Sequence, residues 1–160
     1  MLKGNIINLR LVNEKDAQFI LSLRTNKELS KFISSTNTNI EEQREWIKSY
    51  KFRERENKEF YYIVEDKRGT PYGTVRIYNI NYEIKETTWG SFILNKARPE
   101  GTSAEVIRLS LDFILNELKL NKVHLEVKKG NSKAIHIYEK NNFTRTGEDS
   151  ENYYYLKRLG

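Results

Sequence analysis

The stretch Arg98-Pro99-Glu100-Gly101-Thr102-Ser103 puts a guanidinium, a glycine and two small hydroxyl residues directly before a long amphipathic run. Small residues there leave the amides of a first helical turn uncovered, and the positive end of the helix dipole favours an anion. Arg98 would add a charge-assisted bond to a phosphate. Thr102 and Glu105 have capping-box spacing, which predicts a sharply defined helix start. The functional reading is a pyrophosphate cradle at the end of the strand Trp89–Leu94. On its own the segment is read more simply as a capped helix after an ordinary loop. It is neither a Walker loop nor a three-glycine dinucleotide fingerprint.

The elements around the cradle follow from periodicity. Ile6–Val12 alternates as a strand, and Asn13 caps a helix whose apolar face carries Phe19, Ile20 and Leu23. A second helix is expected from near Asn39 to about Tyr50, with Glu41 and Glu42 in its first turn. Phe60–Val64, Tyr72–Ile80 and Thr87–Leu94 read as an antiparallel meander, with turns at 66–71 and 79–83. Ala104–Lys119 has apolar residues at helical spacing. Lys122–Lys128 is a strand and Asn131–Lys140 a short helix; Phe143–Glu148 and Tyr153–Lys157 close the sheet. The expected fold is α+β, a mixed and mostly antiparallel sheet flanked by helices, with residues 1–160 as one domain.

Composition removes several chemistries. There is no cysteine, which excludes disulfides, thiolate metal sites and a cysteine nucleophile. Only His124 and His136 are present, so a multi-histidine metal centre is out of reach and no metal is expected. The net charge is +6, from 28 lysines and arginines against 22 acids. These cations alternate with acids, as in Lys51-Phe52-Arg53-Glu54-Arg55-Glu56, so they read as a solvated surface rather than a nucleic-acid face. A few could draw in a polyanionic small molecule. No apolar run of about 18 residues is present, and the reading is a soluble cytoplasmic protein with no membrane partner.

Taken in order, Arg98-x-x-Gly101-x-Ser103, the strand Val123–Val127, Asn131-x-x-Ala134-x-x-x-Tyr138 and Asn142-Phe143 resemble the GNAT acyltransferase superfamily. No one motif is highly specific; the ordered combination is. The resemblance spans about residues 6–158. Ser103 stands where a glycine or alanine is usual, and Asn142 where a glycine is usual. Asparagine tolerates left-handed geometry.

The resemblance implies an N-acetyltransferase that uses acetyl-CoA as co-substrate, with direct attack of a primary amine on the thioester. It places Arg98, Gly101, Thr102 and Ser103 on the pyrophosphate. The backbone of Phe92, Ile93 and Leu94 would hold the thioester and the pantetheine chain. Asn131 would cap the short helix and face the cofactor arm. Tyr138 takes the general-acid position. Many relatives carry a glutamate in the strand before the cradle; Thr87–Ser91 has none, so a water, Glu86 and His124 all stay open as the base.

Arg24-Thr25-Asn26 followed by Phe32, with Glu41-Glu42-x-x-Glu45-Trp46, is similar to a branch that acetylates nucleotide-linked amino sugars. The Trp89-Gly90 strand, the cradle and the Tyr153–Lys157 tail look like the UDP-4-amino-sugar N-acetyltransferases of the pseudaminic acid pathway. The branch implies that Arg24 meets the acceptor's diphosphate and that Trp46 or Tyr78 stacks on it; equally, Arg24 and Trp46 fix the helical pair. A protein N-terminal acetyltransferase of the ribosomal-protein type, or a non-catalytic acyl-CoA-binding module, are the alternatives. A polyamine acetyltransferase would need an acidic acceptor pocket. A homodimer is left open.

Overall fold

The computed structural model describes residues 1–29, 31 and 39–160; Phe32 lies outside them. In chain order the elements are β1 (Leu2–Lys3), β2 (Ile7–Leu11), α1 (Ala17–Thr25), α2 (Ile40–Arg55), β3 (Phe60–Asp66), β4 (Pro71–Asn81) and β5 (Glu86–Leu94). They continue with α3 (Thr102–Asp112), β6 (Lys122–Lys128), α4 (Ser132–Lys140), β7 (Thr144–Glu148) and β8 (Asn152–Arg158). The α+β expectation is met by one eight-stranded sheet in the order β1-β2-β3-β4-β5-β6-β8-β7.

Every neighbouring pair is antiparallel except β5 and β6. A parallel pair needs a crossover, and α3 supplies it. One sheet face carries the main core: Ile7, Leu9, Tyr62, Val75, Ile77, Trp89, Val123 and Leu125, packed with Val106, Ile107 and Ile114 from the α3 region. The opposite face is covered by α1 and α2 through Ala17, Ile20, Ile47 and Tyr50 against Tyr61 and Ile63. These two sets alternate along β3, the period-two signature of a strand buried on both sides.

Helix ends differ from the periodicity by several residues, α1 beginning at Ala17 after a 3-10 turn at Glu14–Asp16, and β1 has no counterpart among the expected elements. The second helix runs on to Arg55, where the apolar pattern had thinned. The third starts at Thr102, and from Phe113 to Glu117 it widens into a π turn, with the Leu118 amide bonding the Phe113 carbonyl at 3.1 Å. That turn lets Phe113 pack edge-on against Phe60, centroids 5.1 Å apart.

The parallel pairing is short. Only Glu86–Thr88 oppose Lys122–His124. Beyond that point Trp89–Leu94 pair with β4 alone, and Leu125–Lys128 with β8 alone. The sheet therefore opens like a V at its middle, and each arm of the V presents an unpaired strand edge.

Candidate active site

The cradle follows the Trp89–Leu94 arm of this V after a short loop. Gly101 is the N-cap of α3 at φ 86°, a left-handed conformation that glycine takes without penalty. A Cβ there would also stand 3.1 Å from Cδ1 of Ile6. The expected capping box does not form, because both partners are used elsewhere. The Thr102 hydroxyl donates to the Pro99 carbonyl at 2.6 Å. The buried Glu105 carboxylate accepts from the amides of Ile6 at 2.8 Å and Ile7 at 3.0 Å. Glu105 thus ties the start of α3 to β2 instead of covering its own helix end. The first i→i−4 bond of the helix is Glu105 N–H to Gly101, at 3.2 Å. The amides of Ser103 and Ala104 precede it, free for an anion. Arg98 is exposed beside them, one guanidinium nitrogen donating to the Asn95 carbonyl at 3.1 Å.

A β-bulge shapes the first arm. Between Thr74 and Arg76 the β4–β5 register slips, and Ser91 adopts φ 48°. The Thr74 hydroxyl, buried, braces the bulge by donating to the Ser91 carbonyl at 2.9 Å. Such an insertion leaves backbone groups out of the ladder and re-aims them. Gly90, Ser91 and Phe92 line the V, where an extended chain carrying amides can pair with a free strand edge.

The cleft inside the V has a volume of about 270 Å³ and includes Trp89, Gly90, Ser91 and Phe92 on one arm and Glu126, Val127 and Lys128 on the other. Tyr138 of α4 forms part of its wall, 8% exposed. Its ring meets Trp89 edge-on at 5.7 Å and Phe143 at 6.0 Å. Trp89 is itself fixed by donating to the Ser110 hydroxyl at 2.8 Å. Among the described residues the Tyr138 hydroxyl has no hydrogen-bond partner, and no buried side-chain polar atom is orphaned, so the hydroxyl faces the cleft. Burial pushes its phenol above the ordinary tyrosine value, which keeps the proton on at any physiological pH. Asn131 also lines the cleft and caps α4 by accepting from the Ala134 amide at 3.3 Å. The following turn holds Asn142 at φ 67°, the left-handed geometry that an asparagine tolerates.

The side under α1 and α2 is cationic and aromatic. Arg24, Arg76 and Lys128 line the cleft against one carboxylate, Glu126. Arg76 lies 4.2 Å over the Tyr78 ring and 5.2 Å over Trp46. Its other partner is Glu59, buried, which also holds Arg53; the two contacts are 2.8 and 2.9 Å. Tyr78 lies across Gly90, where a Cβ would come within 3.2 Å of its hydroxyl. Trp46 does not reach the cleft. It is stacked on Tyr50 at 5.9 Å and set edge-on to Tyr61 at 5.5 Å. His124 bonds Glu86 at 3.1 Å, opposite Thr88 and outside the cleft that Tyr138 lines. His136 is exposed.

The structure therefore brings together Arg24, Tyr78, Phe92, Asn131 and Tyr138 in one cleft, with the Arg98–Ser103 cradle at the end of the same strand. Sequence reasoning passed over Ser91, Thr74, Arg76, Lys128 and, as a cleft residue, Glu126. A bulge has no sequence mark of its own. The alternation of His124, Glu126 and Lys128 on the outward side of β6 was the available signal.

The family model for the acetyltransferase (GNAT) domain matches residues 7–144. The chain belongs to this family. As a GNAT acetyltransferase it takes its acyl group from acetyl-CoA. The solved structure described as apo FdhC, a nucleotide-linked sugar GNAT, superposes with a TM-score of 0.90 at 38% identity, covering 98% of this chain and 89% of that one. A spermidine N(1)-acetyltransferase of Vibrio cholerae is 27% identical over 149 residues, 92% of this chain and 84% of its own length. The acetyltransferase PseH of Campylobacter jejuni is 22% identical, over 92% of this chain and 88% of its own. No helix among the described residues is long and apolar enough to cross a membrane.

Proposed function

We propose that this GNAT enzyme acetylates the amino group of a nucleotide-linked amino sugar in the cytoplasm. The observation that carries the reading is the donor-rich lining of the acceptor side. Arg24, Arg76 and Lys128 line the described cleft with a single acid, Glu126, while Arg76 and Lys128 also hold Glu59 and Glu151 outside that lining. Guanidinium and ammonium N–H groups suit the oxygens of a diphosphate better than a polycation that needs several carboxylates. The Tyr78 ring offers a face for a sugar or base. The likeness to a nucleotide-linked sugar GNAT supports the same acceptor class.

In this reading the amides of Ser103 and Ala104, with Gly101, Thr102 and Arg98, hold the pyrophosphate of the donor. The free edge at Phe92, Ile93 and Leu94 pairs with its pantetheine arm, and Asn131 faces that arm from α4. The donor supplies an activated thioester carbonyl. The acceptor amine enters from the α1–α2 side and attacks directly, so no residue carries the acetyl group. The Tyr138 hydroxyl donates to the departing sulfur.

A panel assay of thiol release from acetyl-CoA tests this. A nucleotide-linked 4-amino sugar, spermidine and a ribosomal N-terminal peptide are offered in turn. The amino sugar should give a kcat/KM at least tenfold above the other two. Preference for spermidine or for the peptide would overturn the sugar reading.

A further inference from the structure

Acetyl transfer needs a free amine, and near neutral pH most primary amines are ammonium ions. Some group on the acceptor side has to take that proton. His124 and Glu86 occupy one another at 3.1 Å. Glu126 is placed differently. It lines the cleft that holds Tyr138, and it also lines a neighbouring groove of about 450 Å³ along the outward side of β6, with Tyr78, Thr88, His124 and Tyr154. Among the described residues no other carboxylate lines either space.

The groups around Glu126 already have partners. On β4, Arg76 is bound to Glu59 at 2.8 Å and lies over Tyr78. On β8, Tyr154 stands opposite Glu126 in register, and its hydroxyl donates to Asp149. On β6 itself, Lys128 pairs with Glu151 at 3.3 Å and His124 with Glu86. From α1, Arg24 is set against the Tyr61 hydroxyl. On β5 the facing residues are Thr88 and Gly90, which carry no charge. Glu126 has neither an ion pair nor a hydrogen bond to a described residue, and it is exposed to the cleft. Because β6 leaves β5 after His124, its backbone also lacks a partner strand on that side.

We propose that Glu126 is the general base: it binds the acceptor ammonium and removes its first proton. The carboxylate takes one proton and frees the nitrogen lone pair. The C–N bond forms as the C–S bond breaks. Tyr138 donates a hydrogen bond to the departing sulfur, which takes up the second nitrogen proton. Glu126 returns its own proton to solvent, so the sum is ammonium plus thioester giving amide, thiol and one proton. This deepens the acceptor reading above, but it needs only an amine, not a sugar.

The test is kcat/KM for wild type and Glu126→Gln between pH 6.5 and 9.5, with a nucleotide-linked 4-amino sugar and with spermidine. Binding of CoA by calorimetry checks that the variant is folded. At pH 7 the variant should lose about 100-fold or more with whichever amine reacts. The deficit should then shrink about tenfold per pH unit towards the amine's own pKa, since water supplies the free amine there. A structural or orienting role would leave the deficit constant across pH. That outcome, or an unchanged rate, would overturn the proposal; so would a pH-dependent loss in His124→Asn with none in Glu126→Gln. Spermidine turnover with the narrowing deficit would keep Glu126 and sink the sugar reading. Sugar turnover without it would do the reverse. If neither amine is acetylated, both fall.

Discussion

Replacing Tyr138 by phenylalanine isolates one atom. The ring is buried and packs edge-on to Trp89 and against Phe143, contacts that phenylalanine retains. Loss of the hydroxyl should therefore change stability by less than about 1 kcal/mol. The rate effect can be sized from the burial. A free tyrosine titrates near 10 and a thiol near 8.5, so full proton transfer to the sulfur is uphill by about 2 kcal/mol even before burial. Burial raises the phenol further. Tyr138 therefore works chiefly as a hydrogen-bond donor to charge growing on sulfur. Such a bond contributes about 1.5–3 kcal/mol, which is about 10- to 150-fold in kcat. The assay is thiol release under saturating acetyl-CoA, with calorimetry for CoA affinity. Turnover should fall within that range while affinity stays within about twofold. The pH sign follows from the raised phenol: the proton is held below pH 10 and leaves only above it, so Tyr138 imposes no alkaline loss of activity below about pH 10. An unchanged rate removes Tyr138 from the reaction. An alkaline limb below pH 9 that disappears in Tyr138→Phe would refute the burial argument.

Two other perturbations separate cofactor binding from framework. Arg98→Ala should raise the KM for acetyl-CoA about fivefold at low salt and leave kcat alone; the difference should fade at about 1 M salt, because the side chain is exposed. A kcat effect without a KM effect would contradict its place on the phosphates. Gly4→Ala would put a Cβ 1.9 Å from a Glu105 oxygen and 2.7 Å from the Ile7 carbonyl. Moving Glu105 strips the Ile6 and Ile7 amides of their acceptor, at a cost of about 2–4 kcal/mol. A thermal melt should then shift down by about 5–10 °C, and a shift under 2 °C would show that the carboxylate has another seat.

Local pattern carried the elements well. Strand β6 spans the residues its alternation predicts, because three apolar side chains on one side of seven residues permit one register only. Asn131 caps α4 where expected, and Asn13 caps the 3-10 turn Glu14–Asp16 that leads into α1, since an asparagine side chain can reach its own next amides without help from the fold. The capping box at Thr102 and Glu105 failed for the opposite reason. Glu105 meets β2, almost a hundred residues earlier in the chain, and a buried carboxylate between two amides outcompetes one lying over its own helix end. Trp46 shows the same effect. Its type suggested stacking on a ligand, but Tyr50, Tyr61, Arg53 and Arg76 surround it.

The cleft itself belongs to no stretch of sequence. It exists because β5 is held to β4 through a bulge and β6 is held to β8 along its full length, so the two central strands share only three register pairs before parting. Each strand satisfies its backbone on the outer side, and the V between them costs little to leave open while water fills it. In the proposed reaction the donor lies along the unpaired edge of one arm and the acceptor amine approaches from the opposite sheet face, past Tyr78 and Glu126. Tyr138 sits on the helix side of the same gap. In the proposed reaction Glu126 takes a proton from the nitrogen and Tyr138 faces the sulfur, the two atoms that share the carbonyl carbon during acyl transfer. Closing the V by extending the β5–β6 ladder would leave every one of these side chains in place and still remove the reaction.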